Sequence, residues 1–277
     1  QLFVDLIAGV RWWDIFVDNE TVGQKAREDF FLPHVGLQLQ RVTDTATTRA
    51  ALSFEWNQTN VVDQDADDMV ILGRLNPDED WVVMNWDFRQ SVYLEPLLNR
   101  EAWENTSTPA SSTLAHELAI SFKGQYSFDD RLIPQAERTV GGLYTVRGYE
   151  ESVAAGDTAL IFSGEYQFHL PRTLDIQADP SQSPYLFGKP FRYAPQHVYG
   201  QADWDLIFRG FVDVGRAINS DRESFELNET LIGAGAGLEF LFKSNLILRA
   251  DWAVALEEAG DVNDGSNRFH IVITVLY

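Results

Sequence analysis

In Leu118-Ala119-Ile120-Ser121-Phe122-Lys123-Gly124-Gln125-Tyr126-Ser127-Phe128 the even positions are apolar or glycine, and the odd positions between them include Ser121, Lys123, Gln125 and Ser127. A period of two describes a strand with one apolar and one polar face. The pattern recurs along the chain. Val82, Met84, Trp86 and Phe88 alternate with Val83, Asn85, Asp87 and Arg89, and Leu160, Phe162, Gly164, Tyr166 and Phe168 alternate with Ser163, Glu165 and Gln167. Leu206, Phe208, Gly210 and Val212 face away from Arg209 and Asp213. Ile232, Ala234, Ala236, Leu238, Phe240 and Phe242 face away from Gly233, Gly235, Gly237 and Glu239. Leu246, Leu248, Ala250, Trp252 and Val254 face away from Arg249 and Asp251, and the chain closes on Phe269-His270-Ile271-Val272-Ile273-Thr274-Val275-Leu276-Tyr277. Weaker strands fit near 2–17, 31–42 and 48–58, giving ten. Most are roughly 10–13 residues long, against about 5–6 for a soluble strand and about 9–11 for a tilted strand that crosses a bilayer.

Composition narrows the class. The 277 residues carry a formal net charge of −21, which disfavours nucleic acid as a partner because phosphates call for a basic surface. Hydrophobic residues make up 45%, enough for a packed structure rather than general disorder. No run of 18 apolar residues is free of charge, so an ordinary transmembrane helix is excluded. With no Cys, disulfides, thiolate metal sites and Cys nucleophiles are excluded as well.

The connections favour a membrane barrel. A very short link at Ser244 joins the strands ending at Phe242 and starting near Leu246. If 243–245 is a periplasmic turn, the long links near 18–30, 59–81, 129–157, 217–230 and 257–267 all fall on the other side, as in outer-membrane barrels. Two links, 95–113 and 169–204, break that rule. A soluble β-sandwich also alternates. Against it, Trp12, Trp56, Trp86, Phe242, Trp252 and Tyr277 lie near strand ends on the apolar face, as an interfacial girdle would. The opposite face carries Lys123, Arg209, Asp213, Glu239, Arg249 and Asp251, as a wet lumen would.

The segment Arg138-Thr-Val-Gly-Gly-Leu-Tyr-Thr-Val146-Arg147-Gly148-Tyr149-Glu150, followed by Gly156-Asp157, resembles the sixth extracellular loop of the Omp85 superfamily, with its Val-Arg-Gly-Phe/Tyr motif. Phe211-Val212-Asp213-Val214-Gly215 is similar to that family's Phe-x-Asp-x-Gly strand motif. Phe269, Ile271, Ile273, Val275 and the terminal aromatic Tyr277 resemble its C-terminal assembly signal. Five strands follow the loop here, as in the family. The Gly156-Asp157…Glu165-Tyr166 spacing looks most like TpsB transporters, the pores of two-partner secretion. The resemblance implies an all-β transmembrane antiparallel barrel with an inward-folded loop, a sixteen-stranded barrel preceded by POTRA domains. The ten strands here would be its last ten, so residues 1–277 read as a barrel domain from the C-terminal part of a longer protein, with no POTRA domain.

The motif residues have a chemistry of their own. A guanidinium stays charged and binds carboxylates bidentately, which suits Arg147 to a loop that folds inward onto lumen carboxylates. Gly148 lets the backbone pass close to the wall. Asp213 and Glu165 have lumen parity, so the expectation is an Arg147–Asp213 pair with Glu165 nearby. Gly233, Gly235 and Gly237 precede Leu238-Glu239-Phe240-Leu241-Phe242, which alternates as a strand, so they leave room for the loop rather than cradle a nucleotide. Asp63-Gln64-Asp65-Ala66-Asp67-Asp68 begins like a calcium loop, but Asp68 and Arg74 stand where Gly and Glu are needed. It reads as a solvated acidic external loop.

His34, His116, His169, His197 and His270 are dispersed, and neither a zinc-protease nor a nucleophile-elbow motif is present. The expectation is a non-enzymatic, cofactor-free pore of the bacterial outer membrane that translocates a client polypeptide. Loop 138–157 would gate it through Val146, Arg147, Gly148 and Tyr149, with Asp213, Glu165, Phe211 and Gly215 as lumen partners. Its other partners would be outer-membrane lipid and the barrel-assembly machinery. The alternatives are an insertase of the same superfamily, a passive porin-like barrel, and a soluble β-sandwich lectin.

Overall fold

The computed structural model describes residues 1–21, 23–62, 64–98, 100–104, 114–179, 183–243 and 245–276. Ser244, Asp63 and the terminal Tyr277, all singled out above, lie outside the described residues. In chain order the elements are β1 (Leu2–Asn19), β2 (Gln24–Val42), β3 (Ala46–Trp56), α1 (Ala66–Ile71), β4 (Val82–Tyr93), α2 (Glu95–Leu98), α3 (Arg100–Glu104) and β5 (His116–Tyr126). There follow β6 (Arg138–Val140), β7 (Ala154–Gly156), β8 (Thr158–His169), β9 (Tyr185–Leu186), β10 (Lys189–Pro190), β11 (Trp204–Ile218), β12 (Glu229–Phe242), β13 (Leu246–Ala255) and β14 (Asn267–Val275).

Ten of these strands form one antiparallel sheet in the order β1-β2-β3-β4-β5-β8-β11-β12-β13-β14, each beside its sequence neighbour in the sheet. The small hairpins β6-β7 and β9-β10 stand apart from it. The sheet thus has the ten long strands expected of a barrel wall. Among the described residues β1 pairs only with β2, and β14 only with β13.

The side-chain parity follows the alternation. On β11 Phe208 and Val212 are exposed while Asp213, between Val212 and Val214, is 1% exposed. On β14 Phe269, Ile271 and Ile273 all stand outward at 65% or more exposure. A large apolar row left bare on one face, with charged groups covered on the other, is the inverse of a soluble protein and suits a wall between hydrocarbon and water.

One boundary differs from the sequence reading. The link near 18–30 is not a long loop. β1 runs on to Asn19 and β2 starts already at Gln24; between them Gly23 has φ +68° and its N–H donates to the Asn19 carbonyl at 2.8 Å. The charged residues of this stretch form cross-strand pairs on the outer face. Lys25 Nζ reaches Asp18 at 2.6 Å, and Arg27 Nε reaches Asp14 at 2.8 Å. They stand beyond Trp12 and Phe31, whose rings meet edge-on at 6.1 Å. Above that aromatic row most apolar residues change sides, although Phe16 stays outward. Phe30 and Leu32 turn inward and pack with Met69, Leu72, Trp81, Leu132 and Ile133. Met69 comes from α1, so the acidic run near Asp65 is not wholly loop. Asp65 caps the helix by accepting the Asp67 N–H at 2.9 Å.

Candidate functional site

The segment between β5 and β8 folds back against the polar face of the sheet. Its hairpin β6-β7 brackets a bend that carries Val146, Arg147, Gly148 and Tyr149. Val146 and Tyr149 are fully covered by Ile161, Ala217, Leu231 and Ala255. The bend depends on glycine at two points. Gly148 has φ +100°, and a Cβ there would stand 2.9 Å from the Val254 carbonyl carbon. On the facing wall a Cβ at Gly233 would strike the Arg147 carbonyl oxygen.

Arg147 is 3% exposed and saturated with acceptors. Its Nε donates to Asp213 Oδ2 at 2.7 Å and its Nη2 to Asp213 Oδ1 at 2.8 Å, and its backbone N–H also reaches Oδ2 at 3.1 Å. Nη1 donates to Glu165 Oε2 at 2.9 Å and to Asp251 Oδ2 at 3.3 Å. The guanidinium lies 3.3 Å from the ring centre of Phe211. Fork-on-fork geometry of this kind is the stronger class of hydrogen bond. Burial opposes the charge on Arg147, but Asp213 and Glu165 more than reverse this and raise its pKa above the ordinary arginine value.

The register explains why these groups meet. Asp213 lies opposite Gly233 on β12 and Ser163 on β8, while Phe211 lies opposite Gly235 and Glu165. Ser163 Oγ donates to Asp213 at 2.6 Å. Gly215 lies beneath the loop, where a Cβ would meet Val140 and Val146. Glu165, Asp213, Phe211 and Gly215 thus gather around one loop bend. The C-terminal positions Phe269, Ile271, Ile273 and Val275 are not part of it; they form the outward row of β14.

Two participants, Arg209 and Asp251, were not picked out as site residues from the sequence, and the contacts of the Tyr149 hydroxyl were not foreseen. Arg209 grips Glu165 with Nε at 2.7 Å and Nη2 at 2.6 Å, so Glu165 answers two arginines. Asp251, fully buried, is reached by Arg147, Arg209 and Arg249. The Tyr149 hydroxyl donates toward the Ile232 and Glu257 carbonyls at 3.0 and 2.8 Å and accepts from the N–H of both residues. Arg209 and Asp251 had the right parity, and the register supplies the rest.

A second network ties the long-loop end. Arg74 Nη2 bonds Asp157 at 2.9 Å, Arg74 Nη1 bonds Glu137 at 2.8 Å, and Arg74 Nε reaches Glu226 at 3.0 Å. Arg131 holds Glu226 with Nη1 at 2.8 Å and Nη2 at 2.9 Å. Burial pushes Glu137 up to about 7, and Arg74 only partly opposes it. Burial also acts to raise Glu226, but hydrogen bonds from Arg131, the Glu223 N–H and Arg74 outweigh it and hold the carboxyl at about 2.

Residues 104–188 match the model of the family described as haemolysin secretion/activation protein ShlB/FhaC/HecB. No curated protein matches the sequence. Among solved structures, the chain is similar to CdiB from Escherichia coli at 15% identity and a TM-score of 0.63, covering 99% of this chain and 42% of that one. It is also similar to CdiB from Acinetobacter baumannii at 14% identity and a TM-score of 0.53, covering 90% of this chain and 34% of that one. The chain therefore spans less than half the length of either structure.

Proposed function

We infer that the chain belongs among the TpsB-type Omp85 barrels: its fold is similar to that of the two CdiB structures, and segment 104–188 matches the haemolysin secretion/activation family model. From that premise we propose that the chain forms part of the wall of a bacterial outer-membrane pore that exports a partner polypeptide, with loop 138–157 as its gate. In this reading outer-membrane lipid covers the apolar face, and the barrel-assembly machinery inserts the wall. The observation that carries the proposal is the seat of Arg147. A loop arginine with almost no exposure, forked on Asp213 and touching Glu165, keeps the loop against the polar face, and in this reading the docked loop obstructs the lumen.

The mechanism needs no bound nucleotide. An unfolded client enters the lumen, the loop moves off its seat, and folding on the far side draws the chain outward. The latch suits this because it is polar on both sides: when it opens, water can replace each lost hydrogen bond. The test is Arg147→Ala in cells, following secretion and barrel insertion separately. Secretion falls far more than insertion if the loop is a gate. Normal export by that variant overturns it, and failure of other barrels to assemble points instead to the insertase.

A further inference from the structure

On the polar face, across the cavity from the Arg147 seat, Arg49 of β3 stands directly opposite Arg89 of β4. Like charges in facing positions destabilise a sheet. Arg89 forks on Asp87 of its own strand, at 2.8 and 2.7 Å. The Arg49 side chain makes no hydrogen bond or ion pair among the described residues, and more than a third of the residue's surface is exposed. One strand further on, Lys123 of β5 lies opposite Asp87, and its ammonium donates to the Tyr144 carbonyl rather than to a carboxylate.

These groups line a cavity of about 440 Å³ that the loop tip, Leu143 to Thr145, closes on one side. The other cations around it are already committed. Arg147, Arg209 and Arg249 are spent on Asp213, Glu165 and Asp251. Around this cavity the lining cations Arg49, Arg89, Lys123, Arg147, Arg209 and Arg249 outnumber the lining carboxylates Glu165 and Asp213, inside a chain whose net charge is −21. Arg49 and Arg89 sit between the loop tip and the turn at 43–45, on the side from which a client arrives in the reading above.

We propose that Arg49, Arg89 and Lys123 form a docking site for an acidic stretch of the translocated polypeptide, which engages the wall before the loop moves. The inference rests on the pore reading and names the chemistry of its client. A carboxylate would accept from the Arg49 guanidinium and from the Arg89 N–H groups that Asp87 leaves free, and would offset the repulsion that Asp87 offsets only in part.

The test is binding of a fluorescent oligo-glutamate peptide to the purified native protein in detergent, followed by anisotropy at low and high salt. A protein of this net charge repels such a peptide except at a built cationic site, so salt-sensitive binding is itself the expected result. Arg49→Gln with Arg89→Gln lowers the affinity by about tenfold or more. Arg49→Lys retains binding, and Arg41→Gln on the apolar face leaves it unchanged. No binding, or binding indifferent to the double substitution when strand content is intact, overturns the site. Conductance in planar bilayers separates the two claims. A protein that binds the peptide but never conducts refutes the pore and leaves the site standing. One that conducts without binding refutes the site alone.

Discussion

Replacing Asp213 by Asn keeps the shape of the side chain and removes its charge. Asp213 is 1% exposed and accepts from the Arg147 backbone N–H, Nε and Nη2 and from Ser163 Oγ. An amide offers one acceptor where the carboxylate offers two, and it presents an N–H₂ to a guanidinium that can only donate. Breaking a buried ion pair costs about 3–5 kcal/mol. Arg147 keeps Glu165 and Asp251, and a lumen admits water, so the loss here is set lower, at about 2–4 kcal/mol of loop docking. At equilibrium that raises the undocked population by roughly thirtyfold or more. The chain has no Cys, so Val146→Cys supplies a unique reporter at a position that is fully covered only while the loop is seated. The assay is the rate of maleimide labelling of that cysteine, with strand content followed by circular dichroism. Asp213→Asn should raise the rate by that factor at constant strand content. An unchanged rate would refute the view that this carboxylate holds the loop.

Other outcomes follow from the same geometry. Gly233→Ala places a methyl against the Arg147 carbonyl oxygen and should raise the labelling rate without touching any charge. Tyr149→Phe removes a hydroxyl that serves backbone groups of both Ile232 and Glu257, costing about 1–3 kcal/mol of docking by the same readout. At the long-loop end the docked carboxyl of Glu137 has a pKa of about 7, above its ordinary value, so the closed network binds protons that the open one has lost. Closure is then favoured at lower pH and weakens as pH rises through 7, while Glu226, at about 2, stays ionised and contributes no slope there. Hydrogen exchange at Leu132 and Ile133, corrected for intrinsic rates, should show opening increase between about pH 6 and 8, and Glu137→Gln should flatten it. Arg74→Ala leaves Asp157, fully buried, without its bidentate partner and should speed exchange in the same segment at every pH, by about 3–5 kcal/mol of local stability.

The sheet was legible because its two faces meet different solvents. Period-two alternation marks Leu118, Ile120 and Phe122 for one side and Ser121 and Lys123 for the other, whatever the register. The β1–β2 hairpin was misjudged because that rule reverses for most residues beyond the aromatic row of Trp12 and Phe31. There the outer face is wet and takes Asp14, Arg27, Asp18 and Lys25, while Phe30 and Leu32 turn inward. The loop and strand motifs pointed to the residues around the bend, but not to the sharing of Glu165 between Arg147 and Arg209, nor to Asp251 beneath three arginines. Those contacts depend on which residues lie side by side across β8, β11, β12 and β13, and alternation fixes parity without fixing register. Arg74 and Arg131 lie in loops, where no periodicity exists to read.

The two faces of the latch also bear on how it opens. Val146 and Tyr149 seat the loop by covering apolar surface, which is insensitive to salt, whereas Arg147 seats it through charges whose worth depends on the exclusion of water. Stripping one partner from a dry ion pair costs about 3–5 kcal/mol, because the other charge is left buried, whereas a solvated pair contributes about 0–1 kcal/mol. A client that wedges water beside Phe211 therefore need not supply the whole cost of breaking the pair. Letting water in lowers that cost first, and what remains is the apolar contact of Val140, Val146 and Tyr149 with the wall. A loop seated only on aliphatic side chains would lack this property, because water at its edge leaves the hydrophobic penalty for opening in place. If the reasoning holds, raising ionic strength should speed Val146→Cys labelling in a variant whose seat is already wetted, such as Phe211→Ser, and much less in the otherwise unaltered chain, where Arg147 is 3% exposed. Equal salt sensitivity in both would mean that dryness is not what gives the latch its strength.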